Sequence, residues 1–561
     1  MTRVIRVGLI QASIGDNVPT EMNALKAQMI EKHLALIDDA AKRDVEILCL
    51  QELFYGPYFC AEQDRRWYAV GKNIPEGPPV RLMQDVAKRH GMALVVPIYE
   101  ESMAGVYYNT AAVLDSDGSY LGKYRKSHIP HLEPGEQIMA TDRFGNSHAP
   151  GLPYAHGEYI RSSKDDHAKL RHAWRFIEQR AREKGLDQVY NLSGLDRRFD
   201  ALPDEAEMLD DELAPALMVD RLNALALDHL GGNPSIHGIM AMNRQTAAVL
   251  TATLVLVRPG ETVIGVSATG SHKCVVHAAK HAGANFIDTV GLGPFEKAIK
   301  ESSNVTLVSM TRLAVSYEIL NVKEIERIVD LAHGVGAKVL VDDAGGARVG
   351  PAIFDQPKML ELGVDVGSTG LDKYGTIGPR IGLLGGQREI VEEIRALAFD
   401  LGVEARPMLY PTIIRSLEQY DPERVRELVA STKVVIAALK KKLGNRITET
   451  PVIARLDGED ILEIAMERAS LTERPMVPAE ASAGLAMLLL RDYGVMTVHF
   501  AGLPPGTSSM LIKFMPPETL ALFGGAGKFA DAVDQSLDQL AGVIGDPAAF
   551  RSLLFGEEVN P

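Results

Sequence analysis

The chain has 561 residues, 46% hydrophobic and 24% charged, and a formal net charge of −15. That is enough apolar mass for several packed lobes at about 150 residues per domain; no apolar run reaches the length of a membrane span, and the acidic balance argues against a nucleic-acid partner. The 3 cysteines, Cys49, Cys60 and Cys274, have neither framework nor zinc spacing, and Met1-Thr2-Arg3-Val4 lacks a signal pattern, so the expectation is a cytoplasmic protein without disulfides or bound metal.

In chain order, residues 7–13 read as an apolar strand, a long helical stretch follows, and residues 47–54 read as a second strand ending at Glu52. Three motifs accompany them: Gln51-Glu52-Leu53-Phe54-Tyr55-Gly56-Pro57-Tyr58-Phe59-Cys60, Tyr107-Tyr108-Asn109-Thr110-Ala111 and Tyr124-Arg125-Lys126-Ser127-His128-Ile129-Pro130. On these motifs residues 1–145 resemble the nitrilase (carbon-nitrogen hydrolase) superfamily, near its β-ureidopropionase branch. The resemblance implies an α-β sandwich and a site made of a glutamate base, an oxyanion-stabilising lysine and a cysteine nucleophile. Glu52 and Lys126 match the first two. The nucleophile should follow soon after Lys126, yet Phe144-Gly145-Asn146-Ser147-His148-Ala149-Pro150-Gly151 holds no cysteine. The module is therefore expected to be truncated, inactive as an amidase, and left with Glu52 and Lys126 as vestiges. A half-sheet also leaves an edge and an apolar face to be covered, so a role in assembly is expected.

Residues 146–160, rich in Gly, Pro and His, read as a linker. Residues 161–184 read as a charged helix that packs one face through Leu170, Ala173, Trp174, Phe176 and Ile177. The acidic stretch 204–212 reads as a solvated connector. From 215 to 400 helices alternate with short apolar strands, the pattern of a parallel sheet covered on both sides. Residues 401–561 read as a smaller α+β domain.

The chemistry concentrates in the alternating region. Asn243-Arg244-Gln245-Thr246 opens an apolar helix, whose free amides and dipole can cradle a phosphate; ordinary capping is the plain alternative. After the strand at 262–266, a loop brings His272 to the same edge, where its ring could stack on a flat cofactor. Asp342 follows the apolar strand at 337–341, at the strand end where ligands gather in open α/β sheets. Lys373 lies between two short buried strands, 364–367 and 381–386, which lifts it above an ordinary surface lysine. A lysine amine can join an aldehyde cofactor, and a strand-end carboxylate can keep a pyridine nitrogen protonated, so together they make an electron sink. Arg380 offers a planar fork for a phosphate, with a surface salt bridge as its alternative.

On Asn243-Arg244, Ser368-Thr369 with Asp372-Lys373, and Gly378-Pro379-Arg380-Ile381-Gly382-Leu383, residues 150–561 resemble the fold-type-I pyridoxal-phosphate superfamily, nearest its selenocysteine-synthase-like branch. One extra residue separates Thr369 from Asp372 relative to that branch. The resemblance implies pyridoxal 5'-phosphate as cofactor, Lys373 as the lysine that carries it and Asp342 as the partner of the ring nitrogen. It also implies a phosphate cup drawn from Asn243, Arg244, Gln245, Thr246 and Ser368, and at least a homodimer. Candidates for a substrate carboxylate are Arg406, Arg415 and Lys513; the late strand at 509–514 has no arginine. The fold expected is thus α/β throughout: a partial nitrilase-like sandwich, then a large parallel-sheet domain at 215–400 and a small α+β domain at 401–561. The function expected is α,β-elimination or β-replacement on a small amino-acid-like substrate. An aminotransferase, a decarboxylase or aldolase, and a non-catalytic scaffold stay open.

Overall fold

A computed structural model describes residues 5–12, 22–55, 71–103, 106–126, 157–198, 202–497 and 509–556. It divides into two compact units, 1–138 and 139–561. Cys60, the motif residues 56–60 and 127–130, and the linker residues 146–156 lie outside the described residues.

The first unit is a single five-stranded sheet of β1 (Val7–Leu9), β2 (Ile47–Cys49), β3 (Ala93–Met103), β4 (Val106–Leu114) and β5 (Tyr120–Arg125), in that order. β1, β2 and β3 run parallel and β4 and β5 antiparallel. Because side chains alternate across a strand, Leu48, Leu94, Val96, Ile98, Ala112 and Leu114 share a buried core with Ile37 of helix α1 (Met22–Lys42) and with helix α2 (Pro78–His90). Prolines at the first two positions of α2 suit a helix start, where a backbone N–H would find no acceptor within the helix, and Gly91, at φ 62°, ends it. The edge strand β1 leaves Val7 and Leu9 69% and 85% exposed among the described residues.

The second unit begins with helix α3 (Ser163–Lys184), capped by Ser162, whose hydroxyl accepts from Lys164 N. Ala173 is buried in the C-terminal core with Leu170, Phe176 and Ile177 against it, whereas Trp174, expected on that face, is half exposed. Position 174 follows the inward residue 173 by 100°, which turns it toward the rim of the stripe. The strand Tyr190–Asn191 then pairs with Val495–Met496, so this segment is stitched to the C-terminal domain.

The central sheet has seven strands. In chain order they are His237–Met242, Thr262–Ser267, Asn285–Val290, Val305–Thr311, Lys338–Asp342, Val366–Gly370 and Gly382–Gln387; numbered one to seven, they are ordered one, seven, six, five, four, two, three. The seventh is antiparallel to both neighbours and the other pairings are parallel. Strands such as Thr262–Ser267 are buried along their whole length, because helices cover both faces. The C-terminal domain is a three-stranded antiparallel sheet, Ile447–Glu449, Ile453–Asp457 and Ser509–Lys513, packed with long helices including Pro422–Leu443 and Pro478–Tyr493. This is the large-plus-small α/β arrangement expected.

Candidate active site

Asp342 is the last residue of its strand, in register with Thr311 on one side and Ser368 on the other. Its carboxylate is buried. Oδ1 accepts from Gln245 Nε2 at 2.9 Å and Oδ2 from Cys274 Sγ at 3.2 Å, while His272 Nδ1 lies 3.7 Å away. The next residue, Asp343, has another fate: it pairs with the fully buried Arg312 at 3.2 Å and belongs to the scaffold. Burial pushes the Asp343 carboxyl up despite that guanidinium.

The strand Val366–Gly370 delivers the lysine loop. Thr376 Oγ1 donates to Leu371 O at 2.7 Å and to Lys373 O at 2.9 Å, closing a tight turn, and Tyr374 takes a left-handed φ of 47°. From the start of the unit, Leu195 forms a β-bridge to Lys373 and Arg197 Nε donates to Asp372 Oδ2 at 2.9 Å. The Lys373 side chain is half-buried, less enclosed than its flanking strands lead one to expect. Its charge is felt by His272, Cys274, Asp372 and Lys513, so the structure gathers these groups around one space.

A cationic end lies beside it. Arg244 caps the helix Gln245–Leu256, and Gly382 runs so close beneath it that an added Cβ would sit 2.8 Å from Arg244 O. Burial, then the guanidiniums of Arg197 and Arg244, pull Arg380 down to about 10, and its Nη2 is buried without a hydrogen-bond partner. Burial and Arg197 likewise lower Arg244. Three guanidiniums thus converge on the single carboxylate of Asp372, an arrangement that favours an added anion. Asn243 and Thr246 are exposed at this helix start. Ser368, by contrast, is fully buried, and its hydroxyl is taken by Gln245 Nε2 at 2.9 Å, beside Asp342.

The three residues expected to clamp a substrate carboxylate each have a partner within the chain. Arg406 is bonded to Asp211, and Arg415 to Glu205 at 2.6 Å, so the acidic stretch is no plain solvated connector; it neutralises both arginines. Lys513 is 4% exposed and donates to Tyr317 Oη at 2.7 Å and Tyr374 Oη at 3.1 Å. Burial first, then the charges of Lys373 and Arg197, push its ammonium well below the usual lysine range. Sequence reasoning missed Arg197, Cys274 and the two tyrosines. Arg197, Cys274 and the tyrosine pair meet Asp372, Asp342 and each other across tens to hundreds of residues, which leaves no local signal for those contacts.

In the first unit, Lys126 Nζ lies 2.7 Å from Glu52 Oε1, which also accepts from Asn109 Nδ2 at 2.6 Å. The two expected amidase residues are therefore juxtaposed. Cys49 donates to its neighbour's carbonyl, Leu50 O, at 3.4 Å.

A lysine loop that follows the strand next to a strand-end carboxylate, in a seven-stranded sheet of this order, gives the second unit the fold-type-I α/β fold. Over 391 residues the chain is 27% identical to the UPF0425 pyridoxal phosphate-dependent protein of Methanothermobacter thermautotrophicus, covering 69% of this chain and 97% of that one. The protein of the same name from Methanosphaera stadtmanae is 29% identical over 338 residues, 60% of this chain and 85% of its own. Residues 6–151 match the carbon-nitrogen hydrolase family. There the chain is 35% identical to β-ureidopropionase of Arabidopsis thaliana over 132 residues, 23% of this chain, and spans only 32% of that enzyme. Among the described residues no helix is long and apolar enough to cross a membrane.

Proposed function

We propose that the second unit is a pyridoxal 5'-phosphate enzyme acting on a small amino-acid-like substrate, by α,β-elimination or β-replacement. The observation that carries this is the buried, unpartnered Nη2 of Arg380 beside Arg244 and Arg197, at the same site as the Lys373 loop and the hydrogen-bonded carboxylate of Asp342. These residues fit the cofactor. Arg380, Arg244, Asn243, Thr246 and the amides of the helix start would hold its phosphate. Asp342, oriented by Gln245 with Ser368 behind it, would keep a proton at the ring nitrogen, and His272 would lie against the ring.

When bound, pyridoxal phosphate supplies an aldehyde for amines and a ring that stabilises a carbanion. Lys373 would hold that aldehyde, yield it to the substrate amine, and then take the α-proton with its freed Nζ. Arg197 is better placed than Arg406 or Arg415 to meet a substrate carboxylate, because its partner Asp372 is part of the lysine loop and theirs lie in the acidic connector. Lys513, bonded to two tyrosines, stands on the late strand where an aminotransferase reading would want an arginine. That favours elimination or replacement over transamination. The unit would work as a homodimer or larger homo-oligomer. The first unit would be structural: Glu52 and Lys126 stand together, but no cysteine follows Lys126 in the family's nucleophile position.

The test is reconstitution. The full chain loaded with pyridoxal phosphate should gain a visible absorbance band that Lys373→Ala lacks, and a panel of amino acids should yield ammonia with a keto acid. A band of equal strength in both proteins would refute the lysine assignment. Amino-group transfer to a keto acid without release of ammonia would refute elimination.

A further inference from the structure

Among the described residues, one cluster has the donor set of a metal site, and the sequence offered no spacing from which to foresee it. His272 Nδ1 lies 2.9 Å from Cys274 Sγ, Cys274 Sγ lies 3.2 Å from Asp342 Oδ2, and Nδ1 lies 3.7 Å from the same oxygen. Metal–ligand bonds of roughly 2.0–2.3 Å place the donors of a tetrahedral zinc site roughly 3.3–3.6 Å apart. The two sides through Cys274 Sγ need to open by roughly half an ångström or less to reach that spacing.

The donors gather at one helix start. His272 caps the helix Lys273–His281, its Nδ1 accepting from Cys274 N at 3.3 Å, so an ion bound there takes over the lone pair that the cap now uses. Cys274 and Asp342 are buried, which shields a bound ion from competing water, and Gln245 holds the far oxygen of the carboxylate as an outer support. The mixed nitrogen, thiolate and carboxylate set suits a thiophilic divalent ion and leaves a fourth position open.

We propose that His272, Cys274 and Asp342 bind a thiophilic divalent cation of the zinc class when the site is free of cofactor. Coordination replaces the thiol proton of Cys274, which leaves to solvent, one proton per ion. The cation closes the space and occupies Asp342. On the reading that Asp342 serves the cofactor's ring nitrogen, ion and cofactor exclude each other, so the ion acts as a block on cofactor loading. The charge of Lys373 faces the same groups and opposes the ion.

The experiment titrates the cofactor-stripped full chain with zinc, counted by native mass spectrometry, and with cobalt(II), read by thiolate charge-transfer absorbance. One ion per chain is expected. Cys274→Ser and His272→Ala should each weaken binding at least ~10-fold, the scale set by disturbed metal shells, and Lys373→Ala should keep or tighten it. Zinc-loaded protein should gain the visible cofactor band slowly, and a chelator should restore the rate. Zinc affinity unchanged in both Cys274→Ser and His272→Ala overturns the site. A band growing at an unchanged rate in zinc-loaded protein overturns the exclusion. No band even in metal-free protein contradicts the cofactor reading instead, and the Cys274→Ser comparison still decides the site.

Discussion

Arg197 Nε donates to Asp372 Oδ2 at 2.9 Å, and Asp196 N to Asp372 O at 3.1 Å, so a segment 175 residues upstream grips the loop that carries Lys373. Asp372 is 4% exposed. Burial pushes its carboxyl up, but Lys373 and Arg197 outweigh that and hold it below the ordinary range. Arg197→Ala should cost about 1.5–3 kcal/mol, the scale of a hydrogen bond to a charged group, read by denaturant unfolding. With the folded value depressed, the bond's contribution is full above the unfolded value of about 3.9 and fades as pH falls through the folded one. The variant should show less acid sensitivity; an equal loss of stability at every pH would contradict the assignment.

Glu100 plays the same part in the first unit. Its enclosed carboxylate accepts from Arg125 at 2.8 and 2.9 Å and Thr110 at 2.7 Å, and is bonded to Lys123. Burial alone would raise it, yet the bonds hold it down to about 2. Stability from this group should be complete above about pH 4.3 and lost as pH falls toward 2. Glu100→Gln should flatten the acid limb of unfolding for this unit. An unchanged acid limb would show that the ion cluster is not what fails.

Lys513 gives the same sign of slope in a more alkaline window. Its folded value lies well below the unfolded one, so unfolding takes up a proton and stability rises with pH until the free lysine value of about 10.4 is reached. Lys513→Met should remove that rise on the alkaline side up to about pH 10.4, with Tyr374→Phe as a control that keeps the amine. A slope that survives Lys513→Met would mean another group titrates.

How much of this was legible follows from range. The strands, the helix start at Gln245 and the two poles Asp342 and Lys373 each carry local signals: apolar runs, a capped helix, a charge at a strand end. The partners of Arg406 and Arg415 were not foreseen for the same reason that Arg197 was missed. An arginine's partner is set by tertiary packing, and the acidic residues Asp211 and Glu205 lie 195 and 210 positions from the arginines they neutralise. Asp342 was read from its place at the strand end; that the adjacent Asp343 pairs with Arg312 only the structure tells.

For the first unit, the full chain should release no ammonia from N-carbamoyl amines above a Glu52→Ala control. Hydrolysis that persists in Lys373→Ala and disappears in Glu52→Ala would mean that a nucleophile serves the Glu52–Lys126 pair after all.

The central claim is that Lys373, rather than the more deeply buried Lys513, carries the cofactor. Borohydride reduction of the pyridoxal-phosphate-loaded full chain, followed by peptide mass spectrometry, tests it most directly. A pyridoxyl group fixed on the peptide containing Lys373 is the predicted result. A label on Lys513 or another lysine with Lys373 unmodified, or no label at all, would contradict it.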